Sequence, residues 1–225
     1  MELTYSGIQK VFKNKKYAFF TKKMDLNLFG VRIETDENTF DDVIGVAYID
    51  ESGSEIVKTY PATTDPGSYW LKNPLNKNGT AILVPGQYRG VYKTDLHAGK
   101  YSALCQRGGK VKVYRDGDRD TKHDMKEETI QEGRFGINIH RSNPYSESYQ
   151  IDKWSAGCQV FKRVADFHEF MNLVKMEEKI HGNDTHTYTL LTKADVEPKK
   201  SVKAAVKAAS KAGVKSGAKK RTKKK

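Results

Sequence analysis

The last thirty residues, Val196–Lys225, contain no aromatic residue and no Leu, Ile, Met or Phe, so any core has to be built from the 195 residues before them. The same thirty residues carry twelve Lys/Arg against the single acid Glu197, which is +11 of the chain's net +12. The body is therefore nearly neutral and holds all nine Phe, both Trp and all twelve Tyr, enough apolar surface for one domain. The tail cannot bury enough to offset its chain entropy and is expected to be disordered alone. Lys199, Lys203, Lys207, Lys211, Lys215 and Lys219 recur every four residues, and Lys220 and Arg221 open the terminal KKRTKKK. On a helix the repeat would form a cationic stripe that repels itself until a polyanion neutralises it. The tail is thus expected to hold nucleic acid or another polyanion such as an anionic wall polymer, without reading bases. A merely solubilising tail is the plainer alternative.

No apolar run reaches the roughly 18 residues of a membrane span. The first thirty residues lack an apolar h-region and a small-residue cleavage site, so synthesis without a secretory signal peptide, in the cytoplasm, is expected. Two cysteines, Cys105 and Cys158, are too few for a disulfide scaffold or a Cys-rich zinc module.

Along the body, residues 5–20 suit a short surface helix and 26–34 a strand. Residues 43–50 and 55–60 form β-rich runs around the turn cluster ESGS, which predicts a hairpin. The stretch from Pro61 to Tyr88 holds four of the six prolines and reads as loops carrying a binding surface. Further strands are expected at 90–94, 101–106, 110–115, 135–140 and 186–192. Apolar residues at 164, 167, 170, 171, 174 and 180 predict one amphipathic helix. The fold class is α+β, mainly β.

Cys158 lies in WSAGCQVF, where Gly157 permits a tight turn that presents a thiol beside main-chain N–H groups. A cysteine nucleophile needs a base, and His140 is the best candidate. It ends the run GINIH, shares that strand's face with Asn138, and is separated from Cys158 by seventeen mostly polar residues. By spacing alone, a buried structural cysteine with an unrelated histidine explains the pattern equally well.

His140, the seventeen-residue loop and Ser155-Ala156-Gly157-Cys158 resemble the catalytic motif of the L,D-transpeptidase family, cysteine enzymes that remodel bacterial peptidoglycan. The run VIGVAYIDESGSEIVKTYPATT, then GTAILVPGQY, is similar to that family's strand pair and following turn, so the resemblance covers about residues 43–192. It implies a β-sandwich or barrel with the amphipathic helix after the cysteine motif. It also implies an N-terminal extension over 1–42, a catalytic domain over 43–195 and the tail over 196–225. The implied chemistry is acyl transfer from a stem-peptide amide: Cys158 forms a thioester and His140 shuttles the proton. The N–H groups of residues 156–158 hold the oxyanion, and no cofactor is needed. Amine acceptors give transpeptidation and water gives hydrolysis. Two positions depart from the family: Ala156 replaces a His and Val160 replaces an Arg or Asn. Arg141 is the candidate replacement charge for substrate, and either the Arg141 carbonyl or Ser142 must orient His140. The rival reading is a catalytically retired relative of the fold, a structural or virion protein tethered to nucleic acid by its tail. A wall enzyme without an export signal also fits virion cargo.

Asp116, Asp118, Asp120, Asp124 and Glu127 occupy the ligand spacing of an EF-hand calcium loop, although Thr121 stands where a Gly is expected. A structural Ca²⁺ and a solvated acidic loop are equally open. Cys105 alternates as a strand-core residue, and reduced thiols are expected. His97, His123, His168, His181 and His186 have no telling spacing and are expected in solvent. Tyr69, Trp70, Tyr145 and Trp154 are candidates to shape a substrate groove.

Overall fold

The computed structural model describes residues 3–33, 35 and 38–197. The tail lysines Lys199–Lys220 and Arg221, and with them the expected disorder and polyanion stripe, lie outside these residues.

The chain begins with helix α1 (Tyr5–Asn14), whose Thr4 side chain accepts the Gly7 N–H as an N-cap. Strands β1 (Asn27–Arg32), β2 (Asp42–Ile49) and β3 (Glu55–Thr63) follow, then the short helix α2 (Ser68–Lys72). Strands β4 (Thr80–Leu83), β5 (Gly86–His97), β6 (Tyr101–Gln106), β7 (Val111–Asp116) and β8 (Gln131–Gly133) come next. The chain continues through β9 (Ile139–Arg141), β10 (Gln159–Phe161), helix α3 (Val164–His181), β11 (Thr185–Thr192) and the single turn α4 (Lys193–Val196). The class is α+β with strands dominant. Eight strands close a barrel in the order β1-β11-β5-β6-β9-β10-β3-β2, and β4-β7-β8 form a smaller sheet. Two barrel pairings, β1/β11 and β9/β10, are parallel. No helix among the described residues is long and apolar enough to cross a membrane.

Period-two alternation explains the core. On β2, Ile44, Val46 and Tyr48 join one apolar cluster, while Ala47 on the opposite face joins a second. That second cluster exists because α1 lays Tyr5, Ile8 and Phe12 over Phe29 and Val31, so β1 is buried on both faces. The expected division at residue 42 is therefore corrected. The first helix does pack on the body, but β1 is a staple of the barrel between β11 and β2, and the boundary would cut into β2. At the other end, Val196 closes α4 and is partly buried against the α1 cluster, so the body extends past the expected tail boundary.

The Pro/Gly-rich stretch from 61 to 88 is not all loop. It contains α2, and its TAIL segment pairs with β7 as β4. The expected strand at 135–140 shrinks to β9. Gly136 adopts φ +73°, and the Gln106 side-chain oxygen accepts the N–H groups of Phe135, Gly136 and Ile137 at 3.0–3.1 Å, replacing ladder partners. Helix α3 runs to the left-handed Gly182 cap and buries Phe167, Phe170, Met171 and Val174 beside Phe161.

Candidate active site

The register of β9 and β10 builds the site. Gln159 pairs with Ile139 and Val160 with His140, so one step earlier Cys158 lies alongside Asn138. Side chains alternate across a sheet, which leaves Cys158, Asn138 and His140 on one face of adjacent strands. The Asn138 N–H donates to Cys158 Sγ at 3.5 Å, and the thiol donates to the Gly136 carbonyl at 3.4 Å. Cys158 is half-buried, free, and packed against Phe40, Ile151 and Val160. Val160 thus supplies apolar support under the cysteine loop where the family pattern has a polar side chain.

The loop itself is tightly specified. Gly157 sits at φ +116°, and a Cβ there would collide with the Ala81 carbonyl oxygen. Fully buried Ser155 donates to the Cys158 carbonyl at 2.8 Å and accepts the Gly157 N–H at 3.2 Å. It is a positioning residue. The expected three-amide oxyanion hole is accordingly reduced. Gly157 N–H already serves Ser155, while the Ala156 and Cys158 N–H groups have no protein partner among the described residues. Below the loop, the Gly67 N–H holds the Ser155 carbonyl, and fully buried Arg32 pairs with Asp65 at 2.8 Å and donates to the Thr64 carbonyl.

His140 is buried, and its Nδ1 lies 2.8 Å from the Arg141 carbonyl, which can only accept. Nδ1 therefore carries the proton and Nε2 holds the free lone pair. Tyr101 Oη reinforces the arrangement by donating to the same carbonyl at 3.3 Å. Burial, then the neighbouring His97, push the imidazole down to about 3, against the opposing Arg141 hydrogen bond. Burial also pushes the Cys158 thiol up to about 11, against the Asn138 N–H. The resting pair is thus a neutral thiol and a neutral imidazole, with no hydrogen bond between them among the described residues.

Other expected roles change. Ser142 does not orient His140: its hydroxyl donates to the Lys162 carbonyl and its N–H to the Phe161 carbonyl. Asn138 is not free for substrate, since its Oδ1 accepts the Gln106 N–H at 2.9 Å and its Nδ2 faces His97 Nδ1 at 3.1 Å. Arg141 does line a cleft of about 380 Å³, with its guanidinium 4.0 Å over the Tyr101 ring. His97, Lys100, His140, Lys153 and Trp154 line the same cleft. A separate recess of about 300 Å³, with Trp70, Arg115, Arg134 and Phe135, meets the cysteine loop at Ala156. Another cavity, of about 750 Å³ beside Asp25, Arg89, Glu177 and His186, is not lined by Cys158 or His140. Of the expected groove aromatics, Tyr145 is highly exposed, while the Trp70 indole N–H anchors the loop by donating to the Lys153 carbonyl.

Among the described residues no three His, Cys, Asp or Glu side chains are placed to hold a metal ion. The acidic loop uses its carboxylates locally: Asp118 accepts the Asp120 N–H, Asp120 the Lys122 N–H, Asp116 the Asp124 N–H, and Asp124 pairs with Lys126. Glu127 opens a single 3-10 turn.

The reading of the five remaining histidines as solvated fails at three. His97 stacks on His140, His123 is hydrogen-bonded to the Thr35 and Pro66 carbonyls, and His186 is buried between Glu177 and Glu178. His97 is the neighbour of His140 that sequence reasoning missed. It lies 43 positions before His140, and only the pairing of β5 with β6 and β6 with β9 brings it there. Cys105 is fully buried and free, as expected of a strand-core residue. Searches against protein-family models, curated proteins and solved structures returned no match to this chain.

Proposed function

We propose that the chain is an L,D-transpeptidase-like cysteine acyltransferase acting on peptidoglycan stem peptides. The observation that carries this reading is the β9/β10 register, which sets Cys158 two positions along from the level of His140 on the same sheet face, with the His140 Nδ1 proton held by the Arg141 carbonyl. In the reaction, substrate enters the cleft at Arg141 and Lys100. The His140 Nε2 lone pair takes the thiol proton as Sγ attacks the amide carbonyl, and the C–N bond breaks as the same proton passes to the leaving amine. Because both groups are neutral at rest, proton transfer accompanies attack rather than preceding it. The Cys158 and Ala156 N–H groups are the available donors for the oxyanion. An incoming amine or water then opens the thioester.

The missing Sγ–Nε2 hydrogen bond and the Gly157 N–H already held by Ser155 favour the second reading, a retired relative of the fold carried on a polyanion by its tail. Incubation with a carbapenem followed by intact-mass and peptide analysis separates the two. The enzyme reading expects one covalent adduct on Cys158, lost in Cys158→Ala and slowed at least about 100-fold in His140→Ala. Absence of any adduct on folded protein would leave the retired form standing.

A further inference from the structure

We infer that His97 is a positioning residue for His140: it braces the base ring by stacking on it and, as a neutral ring, adds no charge of its own against that face. This rests on the reading of His140 as the base for Cys158. His97 is the last residue of β5 and faces Tyr101 in the β5/β6 pairing. Its ring lies 4.0 Å from that of His140, tilted by only 21°. The backbone N–H of Gln106 donates to Asn138 Oδ1, which fixes the amide orientation and turns Nδ2 toward His97 Nδ1. An amide NH₂ can only donate, so His97 Nδ1 is unprotonated and the ring is neutral with its proton on Nε2. One side chain therefore connects the parts of the site. Asn138 grips the thiol through its backbone and sets the His97 tautomer through its amide, and His97 lies flat against the base.

The surroundings favour keeping both rings neutral. The charged groups lining the cleft are Lys100 from the β5–β6 turn, Arg141 from β9 and Lys153 from the cysteine loop. Arg107 adds positive charge from the far end of β6, and Asp95 on β5 is already paired with it at 2.7 Å. Tyr101 on β6 is neutral, held above the usual phenol range first by burial. Burial, then Arg107, Arg141 and Lys100, hold His97 below its ordinary range. Removing the His97 ring opens one flat side of His140 to water, which lets it take up a proton at higher pH.

The test follows the His140 imidazole by ¹H–¹⁵N correlation spectra across an acid-to-neutral titration of the full chain, in wild type, His97→Ala and His97→Phe. His97→Ala is expected to raise the His140 midpoint by at least about one unit. His97→Phe keeps a flat ring in place and is expected to leave it low. Where His97→Ala fails to fold, His97→Gln keeps a polar side chain facing Asn138, removes the stack, and carries the same expectation as Ala. In parallel, iodoacetamide labelling of Cys158, resolved from Cys105 by mass spectrometry, should show its acid limb moving by the same amount. An unchanged His140 titration in a folded His97→Ala or His97→Gln protein would overturn the inference. Wild-type Cys158 labelling no faster than buried Cys105 would instead defeat the nucleophile reading, while the His140 spectra still decide the role of His97.

Discussion

His140 and His186 are both buried imidazoles, yet the fold moves their proton affinities in opposite directions. His140 meets a carbonyl at Nδ1, a second imidazole on its face, and the cations Lys100, Arg141 and Lys153 around its cleft. His186 lies 2.9 Å from Glu177 at Nδ1 and 2.9 Å from Glu178 at Nε2, and such a ring needs both protons. Burial lowers the affinity of His186 for a proton, but the hydrogen bonds to Glu177 and Glu178 outweigh it and the net direction is upward. Equal burial thus accompanies opposite shifts in proton affinity, and the partner decides which. One histidine is left with a free lone pair at Nε2. The other ties α3 to β11, with Leu26 N–H and Thr94 hydroxyl completing the carboxylates' shells.

The largest expected effect is on the structural member of the pair. His186→Leu leaves two carboxylates facing each other without a cation and should cost about 3–5 kcal/mol in urea unfolding. The pH dependence carries a definite sign. His186 binds its proton more tightly folded than unfolded, so its contribution is complete below about pH 6.5. It is lost as pH rises through the raised native midpoint. His140 behaves in the opposite sense. Its native midpoint is depressed, so stability falls as pH drops from the ordinary imidazole range toward about 3. Unfolding free energies measured from acid to mildly alkaline pH should show both limbs, and His186→Leu should flatten only the alkaline one. A variant that keeps the alkaline limb would break the comparison.

Gly157→Ala comes next, at about 1–3 kcal/mol for its backbone conformation, with Cys158 labelling lost because the loop must move away from Ala81. Stability and labelling both at wild-type levels would show that the loop tolerates another path. Smallest is Ser142→Ala, expected to cost about 1 kcal/mol through the lost bond to Lys162 while leaving Cys158 labelling unchanged. A slowed thiol in that variant would mean that Ser142, rather than the Arg141 carbonyl, orients the base.

What could be read in advance followed local pattern. Strand β6 matches its expected range, and β2, β3, β11 and α3 lie within a few residues of theirs, because alternation and a 3.6-residue period are properties of neighbours in sequence. The nearness of Cys158 to the strand of His140 was legible for a similar reason, a glycine turn beside a cysteine and a histidine within a short β run. The four-residue strand β4 was hidden among prolines and glycines because its identity depends on β7, more than thirty residues away. His97 and Gln106 were invisible as site residues. Nothing near them in sequence announces a stack on His140 or an oxygen that gathers three successive amides. The choice between the Arg141 carbonyl and Ser142 as partner of His140, and the engagement of the Gly157 N–H by Ser155, could not be read in advance because hydrogen-bond ownership is settled by the fold, not by residue type.

The parallel pairing of β9 with β10 has one further consequence. Parallel neighbours cannot be joined by a tight turn. The chain leaving Arg141 must travel back past its own starting point before Gln159 can pair beside Ile139, which takes a dozen or more residues. The seventeen residues between His140 and Cys158 are then first of all a return path. Closure entropy grows only logarithmically, by about 0.6 kcal/mol for a doubling in length. The path can therefore lengthen, or exchange its tyrosines and its one lysine, while the two strands keep thiol and imidazole in register. The loop and the paired strands are thus separable pieces of chain, and the sequence of one can drift without disturbing the register of the other.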